Sequence, residues 1–212
     1  MGERLDKFLA SQGLGTRKEV GKLIRSGAVL VNGAPQRDPG AKVEPGADQV
    51  TAQGEEIRYQ EFLTIMLNKP AGVLSATEDR RQKTVLDLLP EGLRRRGLFP
   101  AGRLDKDTTG LLLITDDGEL AHKMLSPKSH VYKQYRAQLD APVEEADIQA
   151  FAAGVAWEGE QYAPARLWVE QDPRAAFVEI REGRFHQVKR MFQARGKTVL
   201  QLKRLKIGGL WL

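Results

Sequence analysis

Near the start of the chain, apolar residues recur at helical spacing. Leu5, Phe8 and Leu9 stand at i, i+3 and i+4, which predicts a helix over roughly Arg4 to Gln12 with Gly13 as its left-handed stop. Thr16-Arg17-Lys18-Glu19 has the form of a capping box and opens a second helix, in which Val20, Leu23 and Ile24 repeat the spacing. The period then shortens to two. Ala28-Val29-Leu30-Val31 reads as a strand running into Asn32-Gly33, a hairpin turn. Gly, Pro and acidic residues between Pro39 and Gly54 punctuate further short strands.

The chain changes character between Glu55-Glu56-Ile57-Arg58 and the apolar Phe62 to Leu67, which puts a domain boundary near Glu61 and predicts domains 1–60 and 61–212. Beyond it, strands are expected at 63–67, 110–115, 131–140, 155–158, 164–171, 175–181 and 198–206. Helices are expected at 84–89, 118–125, 143–153 and 186–195. Alternating apolar runs separated by short helices predict a larger α+β domain with a largely antiparallel or mixed sheet, preceded by a small α/β module. No repeat occurs, and the one biased tract is Arg94-Arg95-Arg96.

Composition narrows the functional classes. No apolar run is long enough to span a membrane, and residues 1–20 lack a signal-peptide core. The absence of cysteine excludes disulfides, thiolate metal sites and a Cys nucleophile, and fits the cytoplasm. The net charge of +5 is unevenly spread. Residues 1–59 hold 9 Lys+Arg against 8 Asp+Glu, residues 60–180 hold 15 against 19, and residues 181–212 hold 9 against 1. The basic C-terminal segment alternates with apolar residues as folded structure does, so it is expected to face phosphates rather than trail as a solvated tail.

On the second helix Lys18, Lys22 and Arg25 fall at i, i+4 and i+7 with Arg17 adjacent, a stripe suited to phosphates but also to plain solvation. With the following Leu23-Ile-Arg-Ser-Gly-Ala-Val-Leu-Val-Asn-Gly33 and the opening Arg4-Leu-Asp-Lys-Phe-Leu9, this segment resembles the S4 RNA-binding domain. That resemblance implies that Arg17, Lys18, Lys22 and Arg25 contact RNA.

The densest chemical signal is Gly102-Arg-Leu-Asp-Lys-Asp-Thr-Thr-Gly-Leu-Leu-Leu-Ile-Thr115, a polar loop feeding an apolar strand. Read from pattern alone, Asp105 fits a turn former as well as a reactive carboxylate, and Tyr135 fits a packed aromatic as well as a base-facing one. The loop resembles the signature of the pseudouridine synthases of the RsuA/RluA group. Three more blocks stand in that group's order: Leu67-Asn-Lys-Pro-Ala-Gly72, Lys133-Gln-Tyr135, and Glu182-Gly-Arg-Phe-His-Gln-Val-Lys-Arg-Met-Phe192. The resemblance implies that Asp105 is the catalytic carboxylate, that Tyr135 faces the reacting base, and that Lys189 is the basic partner of Asp105, with Arg190 as the alternative. Arg103 then fits the space of a flipped-out uridine, or else a phosphate contact or a salt bridge to Asp105 or Asp107, and Lys69, Arg184 and Arg190 are expected to contact RNA.

The implied reaction breaks the C1′–N1 glycosidic bond of uridine, turns the base and rejoins it through C5. Nothing is oxidised and no group is imported, so neither cofactor nor metal is expected. Asp116-Asp117-Gly118 reads as a turn and helix cap, and His122, His130 and His186 lack ligand spacing, leaving them structural or RNA-contacting. Trp157, Trp168 and Trp211 are expected in the core or at its rim. Within the group, Thr115-Asp-Asp-Gly118, Ser126-Pro127, Phe151-Ala-Ala-Gly-Val155 and Ile207-Gly-Gly209 are closest to the small-subunit (16S) rRNA enzymes. The expected partner is ribosomal RNA or an assembling small ribosomal subunit, and the protein is expected to be a monomer. The alternatives are a single-site 23S rRNA enzyme and a non-catalytic S4-type assembly factor.

Overall fold

The computed structural model describes every residue except Met1, Arg96, Pro127 and Lys128, so Arg96 of the arginine tract and Pro127 of the Ser126-Pro127 pair lie outside the described residues. The chain resolves into two compact units, Met1–Leu63 with Leu88–Leu98, and Thr64–Asp87 with Phe99–Leu212. Where the sequence reading assigns 61–212 to one domain, the structure groups Leu88–Leu98 with the N-terminal residues.

In the first unit, β1 (Glu3–Arg4) leads into α1 (Leu5–Ser11), followed by α2 (Arg17–Ser26), β2 (Val29–Val31), β3 (Ala34–Pro35), β4 (Lys42–Val43), β5 (Val50–Ala52) and β6 (Glu55–Glu56). The predicted capping box of α2 is formed: Glu19 N–H donates to Thr16 Oγ1 (3.3 Å), and Thr16 N–H donates to Glu19 Oε2 (2.8 Å). Asn32 and Gly33 both take positive φ (52° and 79°), the conformation a two-residue hairpin requires, and join β2 to β3. The antiparallel sheet has the order β3-β2-β5-β6, while β1 pairs β4. Leu5, Phe8, Leu9, Val20, Ile24, Val29, Val43, Val50 and Ala52 form the core. Arg95 donates to the carbonyls of Gln60 (3.1 Å) and Glu61 (2.8 Å), tying the 88–98 segment to the chain that leaves this unit.

The second unit is built on an eight-stranded mixed sheet. Its strands are β7 (Thr64–Lys69), β8 (Phe99–Ala101), β9 (Thr109–Thr115), β10 (Lys133–Leu139), β13 (Arg166–Val169), β14 (Ala175–Ile180), β15 (Val199–Ile207) and β16 (Leu210–Trp211). A separate hairpin, β11 (Ala156–Trp157) with β12 (Glu160–Gln161), stands beside it. The helices are α3 (Gly118–Leu125), α4 (Glu145–Ala153) and α5 (Gln187–Gln193). The main order is β13-β14-β10-β15-β9-β7, with β16 on β15 and β8 on β9. Thus the α+β class with a largely antiparallel, mixed sheet holds. The run 84–89 makes only a 3-10 turn, Leu86–Leu88, because Asp87 Oδ2 caps Thr84 N–H (2.8 Å) and Pro90 follows. Of the three tryptophans, Trp168 stacks on Phe177 (5.6 Å between centroids), whereas Trp211 is exposed.

β9 is the hydrophobic spine, with Leu111 to Ile114 all buried. One edge of it pairs with β7 through Lys69↔Gly110 to Thr64↔Thr115. The other edge is shared. β15 runs parallel to its start at Lys203↔Thr109 and Arg204↔Gly110, and β8 runs antiparallel to its end at Ala101↔Leu113 through Phe99↔Thr115. Between these two partners the backbone of Leu111 is left to a side chain, and Arg204 Nε donates to its carbonyl (2.7 Å). Gly110 lies at φ +102°, and a Cβ there would overlap the Arg204 carbonyl oxygen and lie 2.8 Å from its nitrogen. The parallel pairing therefore demands glycine. Gly110→Ala is expected to cost about 3 kcal/mol or more, combining backbone strain with a steric clash in the sheet. Thermal unfolding followed by circular dichroism should show a Tm fall of roughly 6–12 °C, and an unchanged Tm would contradict this account of the pairing.

Candidate active site

The loop carrying Asp105 spans residues 102–108, between β8 and β9. Its backbone is held from inside by Lys69. Along β7 the inward parity passes from Ile65 and Leu67 to Lys69, which is 0% exposed. Its ammonium donates to the carbonyls of Thr108 (2.9 Å), Pro70 (3.1 Å) and Lys106 (3.3 Å). Burial pushes the Lys69 pKa down, while the charges of Asp107 and Asp105 oppose that shift. Gly72 N–H donates to Lys106 O (2.7 Å), and Ser75 Oγ donates to Leu104 O (2.9 Å) while accepting from Leu104 N–H (3.1 Å). Leu104 itself is buried as an anchor. Asp105 thus projects from a rigid backbone, fixed on both sides of it. The sequence reading puts Lys69 at the RNA surface; the structure instead makes it an internal clamp, because strand parity turns it inward.

Asp105 lies in a cleft of about 730 Å³ that Arg103, Lys133, Tyr135, Arg184, His186 and Arg204 also line. His186 Nε2 is 3.4 Å from Asp105 Oδ1. This histidine caps α5 with φ +51° and stacks on Phe185 at 3.8 Å between centroids. Tyr135, on β10, is 7% exposed. Its hydroxyl oxygen accepts from Arg204 Nη1 (3.4 Å), and the guanidinium lies 5.9 Å from the ring centroid. Arg204 Nη2 donates to the carbonyl of Gly102 (2.6 Å), the first residue of the Asp105 loop.

On α5, Val188, Met191 and Phe192 face the interior as their spacing predicts. The expected pairing of Lys189 with Asp105 is not the one observed. Lys189 Nζ donates to both carboxylate oxygens of Asp107 (2.7 Å each), because Asp107, two residues on in the same loop, projects to where the ammonium reaches. The Lys189 hydrogen bond is the main cause holding the Asp107 carboxyl below the usual carboxylate range. Arg190, the alternative, turns to the Tyr162 hydroxyl (3.4 Å) and Glu160 (3.2 Å), which raise its pKa. Arg184 donates to Gln161 O (3.1 Å) and pairs at longer range with Glu160 (3.8 Å) and Glu182 (3.9 Å). Arg103 is exposed at the cleft.

In the first unit Lys18, Lys22 and Arg25 are exposed along α2. Arg17 is also exposed but ion-paired: it and Arg4 both bind Asp6 (2.9 and 3.0 Å), whose pKa is lowered to about 2, chiefly by the Arg4 hydrogen bond. Sequence reasoning missed Arg204 and Lys133 as site residues and left His186 without a place. The signal for Arg204 was its phase on β15, where it shares the inward parity of Leu202. Among the described residues no group of three or more His, Asp or Glu side chains converges as metal ligands would.

The chain matches the family model of RNA pseudouridylate synthase over residues 63–194 and that of the S4 domain over residues 3–48. It is 47% identical to an uncharacterized RNA pseudouridine synthase of Bacillus subtilis (strain 168), covering 97% of this chain and 87% of that one. It is 42% identical to the ribosomal small subunit pseudouridine synthase A of Escherichia coli (strain K12), covering 99% and 90%. Among solved structures, a crystal structure of a pseudouridylate synthase superposes with a TM-score of 0.65 at 38% identity, covering 99% of this chain and 90% of that one.

The Lys189–Asp107 ion pair yields a direct check by NMR titration of side-chain carboxyls. Asp107 should titrate below the ordinary aspartate value of about 3.9 and return towards it in Lys189→Met. Movement of Asp105 in its place would mean that Lys189 pairs with Asp105 in solution.

Proposed function

Because the chain belongs to the RNA pseudouridylate synthase family, we propose that it isomerises a uridine of small-subunit ribosomal RNA to pseudouridine, with Asp105 as the catalytic carboxylate. The observation that carries this reading is a carboxylate on a backbone locked by Lys69, in one cleft with the buried Tyr135. A pure RNA binder has no use for such a rigid acidic loop. In the reaction the target base leaves its stack and enters the cleft. The C1′–N1 bond breaks with its electron pair on the uracil, and the Asp105 carboxylate meets the electron-poor sugar, by attack at C1′ or by taking the C2′ proton. After the base turns, C5 bonds to C1′ as the Asp105–C1′ bond breaks or as Asp105 returns the C2′ proton, and C5 then loses its proton while N1 carries one. Tyr135 packs against the uracil and directs its hydroxyl at it.

Residues 1–60 are the RNA-binding module in this reading and residues 61–212 the catalytic domain. Lys18, Lys22 and Arg25 grip phosphates, with Arg17 held beside them by Asp6. Arg103 takes the place vacated by the flipped uridine, and Arg184 and Arg190 steer the strand at the cleft's edge. The substrate is rRNA or an assembling small subunit, met by a cytoplasmic monomer.

Asp105→Asn, nearly isosteric but uncharged, should abolish pseudouridine formation on a small-subunit rRNA transcript while Tm and RNA affinity stay close to wild type; activity within about tenfold would remove Asp105 from its role, since a carboxylate at a glycosidic centre contributes far more. Neutralising Lys18, Lys22 and Arg25 together should weaken binding and flatten the log–log salt dependence by roughly 2–3 units, about 0.7–0.9 for each phosphate that goes without its cation. An unaltered slope in filter binding would make the stripe a solvated helix face.

A further inference from the structure

Two buried cations in the cleft have no task in the steps assigned to Asp105 and Tyr135. Arg204 is 1% exposed and Lys133 is 4% exposed. Arg204 is held by Leu111 O, Gly102 O and the Tyr135 hydroxyl, and Lys133 Nζ donates to Val131 O (3.1 Å). Among the described residues, no carboxylate is ion-paired with either. Burial pushes the Lys133 pKa down and the Arg204 charge pushes it the same way, so each cation feels the other. Buried charge is costly, and a neutral side-chain donor could serve the Leu111 and Gly102 carbonyls without carrying it. A site that keeps positive charge unneutralised is preorganised for negative charge that arises only during the reaction.

We infer that Arg204, acting through the Tyr135 hydroxyl with Lys133 alongside, stabilises the negative charge that the uracil carries once its bond to C1′ has broken. The inference rests on the pseudouridine-forming role proposed for Asp105. In this step the C1′–N1 electron pair remains on the uracil, spread over the ring nitrogens and the two carbonyl oxygens, while Asp105 meets C1′; no electron or proton enters from outside. Arg204 Nη1 donates to the Tyr135 oxygen, so the phenol keeps its own proton to donate to a uracil oxygen. With its other nitrogens tied to two backbone carbonyls, the guanidinium does not have to reorient as the charge appears. Arg204 is thus a positioning residue, and Tyr135 the group that touches the base.

The test measures kcat and KM for pseudouridine formation on a small-subunit rRNA transcript, with Tm recorded for each full-length variant. Arg204→Gln keeps a donor for one carbonyl but removes the charge, and should lower kcat on the order of a hundredfold with KM little changed. Arg204→Lys, which restores the charge, should recover about tenfold of that loss. In a Tyr135→Phe background, Arg204→Gln should add much less than it does alone, since the relay is already cut. Equal losses for Gln and Lys that track Tm, or a loss confined to KM, would overturn the inference and leave Arg204 a structural brace. If Arg204→Gln does not fold, Tyr135→Phe decides by itself: an undiminished kcat overturns the relay. Loss of activity in Asp105→Asn with full activity in Arg204→Gln defeats this inference alone, whereas an inactive wild type or an active Asp105→Asn defeats the reading of the site beneath it.

Discussion

One ammonium group, shut away from water, holds the loop on which Asp105 stands. Lys69 ends a strand whose inward parity is otherwise apolar, and its three donors are spent on three carbonyls, two of them in the loop between β8 and β9. An unpaired buried carbonyl and an unsolvated ammonium are each unfavourable; brought together, each relieves the other. A short polar loop can then stay rigid at the end of a hydrophobic sheet without a helix or a metal to shape it. The neighbouring Ser75–Leu104 exchange and the buried Leu104 side chain extend the same restraint to the residue just before Asp105.

The second constraint is the divided edge of β9. No single strand pairs with the whole of it, and the interval between β15 and β8 is bridged by the Arg204 guanidinium. The sheet therefore opens next to the loop that carries the carboxylate, and a cation occupies the opening. Gly110 makes this possible at the backbone level by letting β15 run alongside the start of β9. Fold and proposed chemistry meet at one place for a physical reason: the carbonyl left over where the strands diverge needs a donor, and the donor present carries a charge that can also act on the cleft.

The parts of the molecule governed by a repeating period were legible in the sequence. The two amphipathic helices, the apolar β9 and the inward face of α5 follow from spacing, and the hairpin from the Asn32-Gly33 turn residues. β8 was hidden by Pro100, which argues against a strand but is accommodated in a three-residue segment paired with β9. The site was legible as a set of motifs, whereas its pairings were not. Lys189 reaches Asp107 instead of Asp105 because two carboxylates stand two residues apart on a loop whose shape is dictated by distant carbonyl contacts. Arg204 lies far along the chain from the loop it serves, and only strand phase marked it as inward-facing. Long-range geometry of this kind leaves little trace in local pattern.

The 88–98 segment has a consequence for how the protein is made. Leu88–Leu98 belongs with the N-terminal residues, although Thr64–Asp87 of the other unit precedes it along the chain. A nascent chain emerging at about 5–20 residues per second thus cannot complete its first unit when residue 63 is synthesised, and must wait until residue 98 is free. By then β7 has already been made, while its partner β9 and the more distant β15 with Arg204 have yet to emerge. Vectorial synthesis therefore leaves β7, and after it the Asp105 loop, waiting on the growing chain for partners, and the cleft that holds Asp105 is among the last features to close.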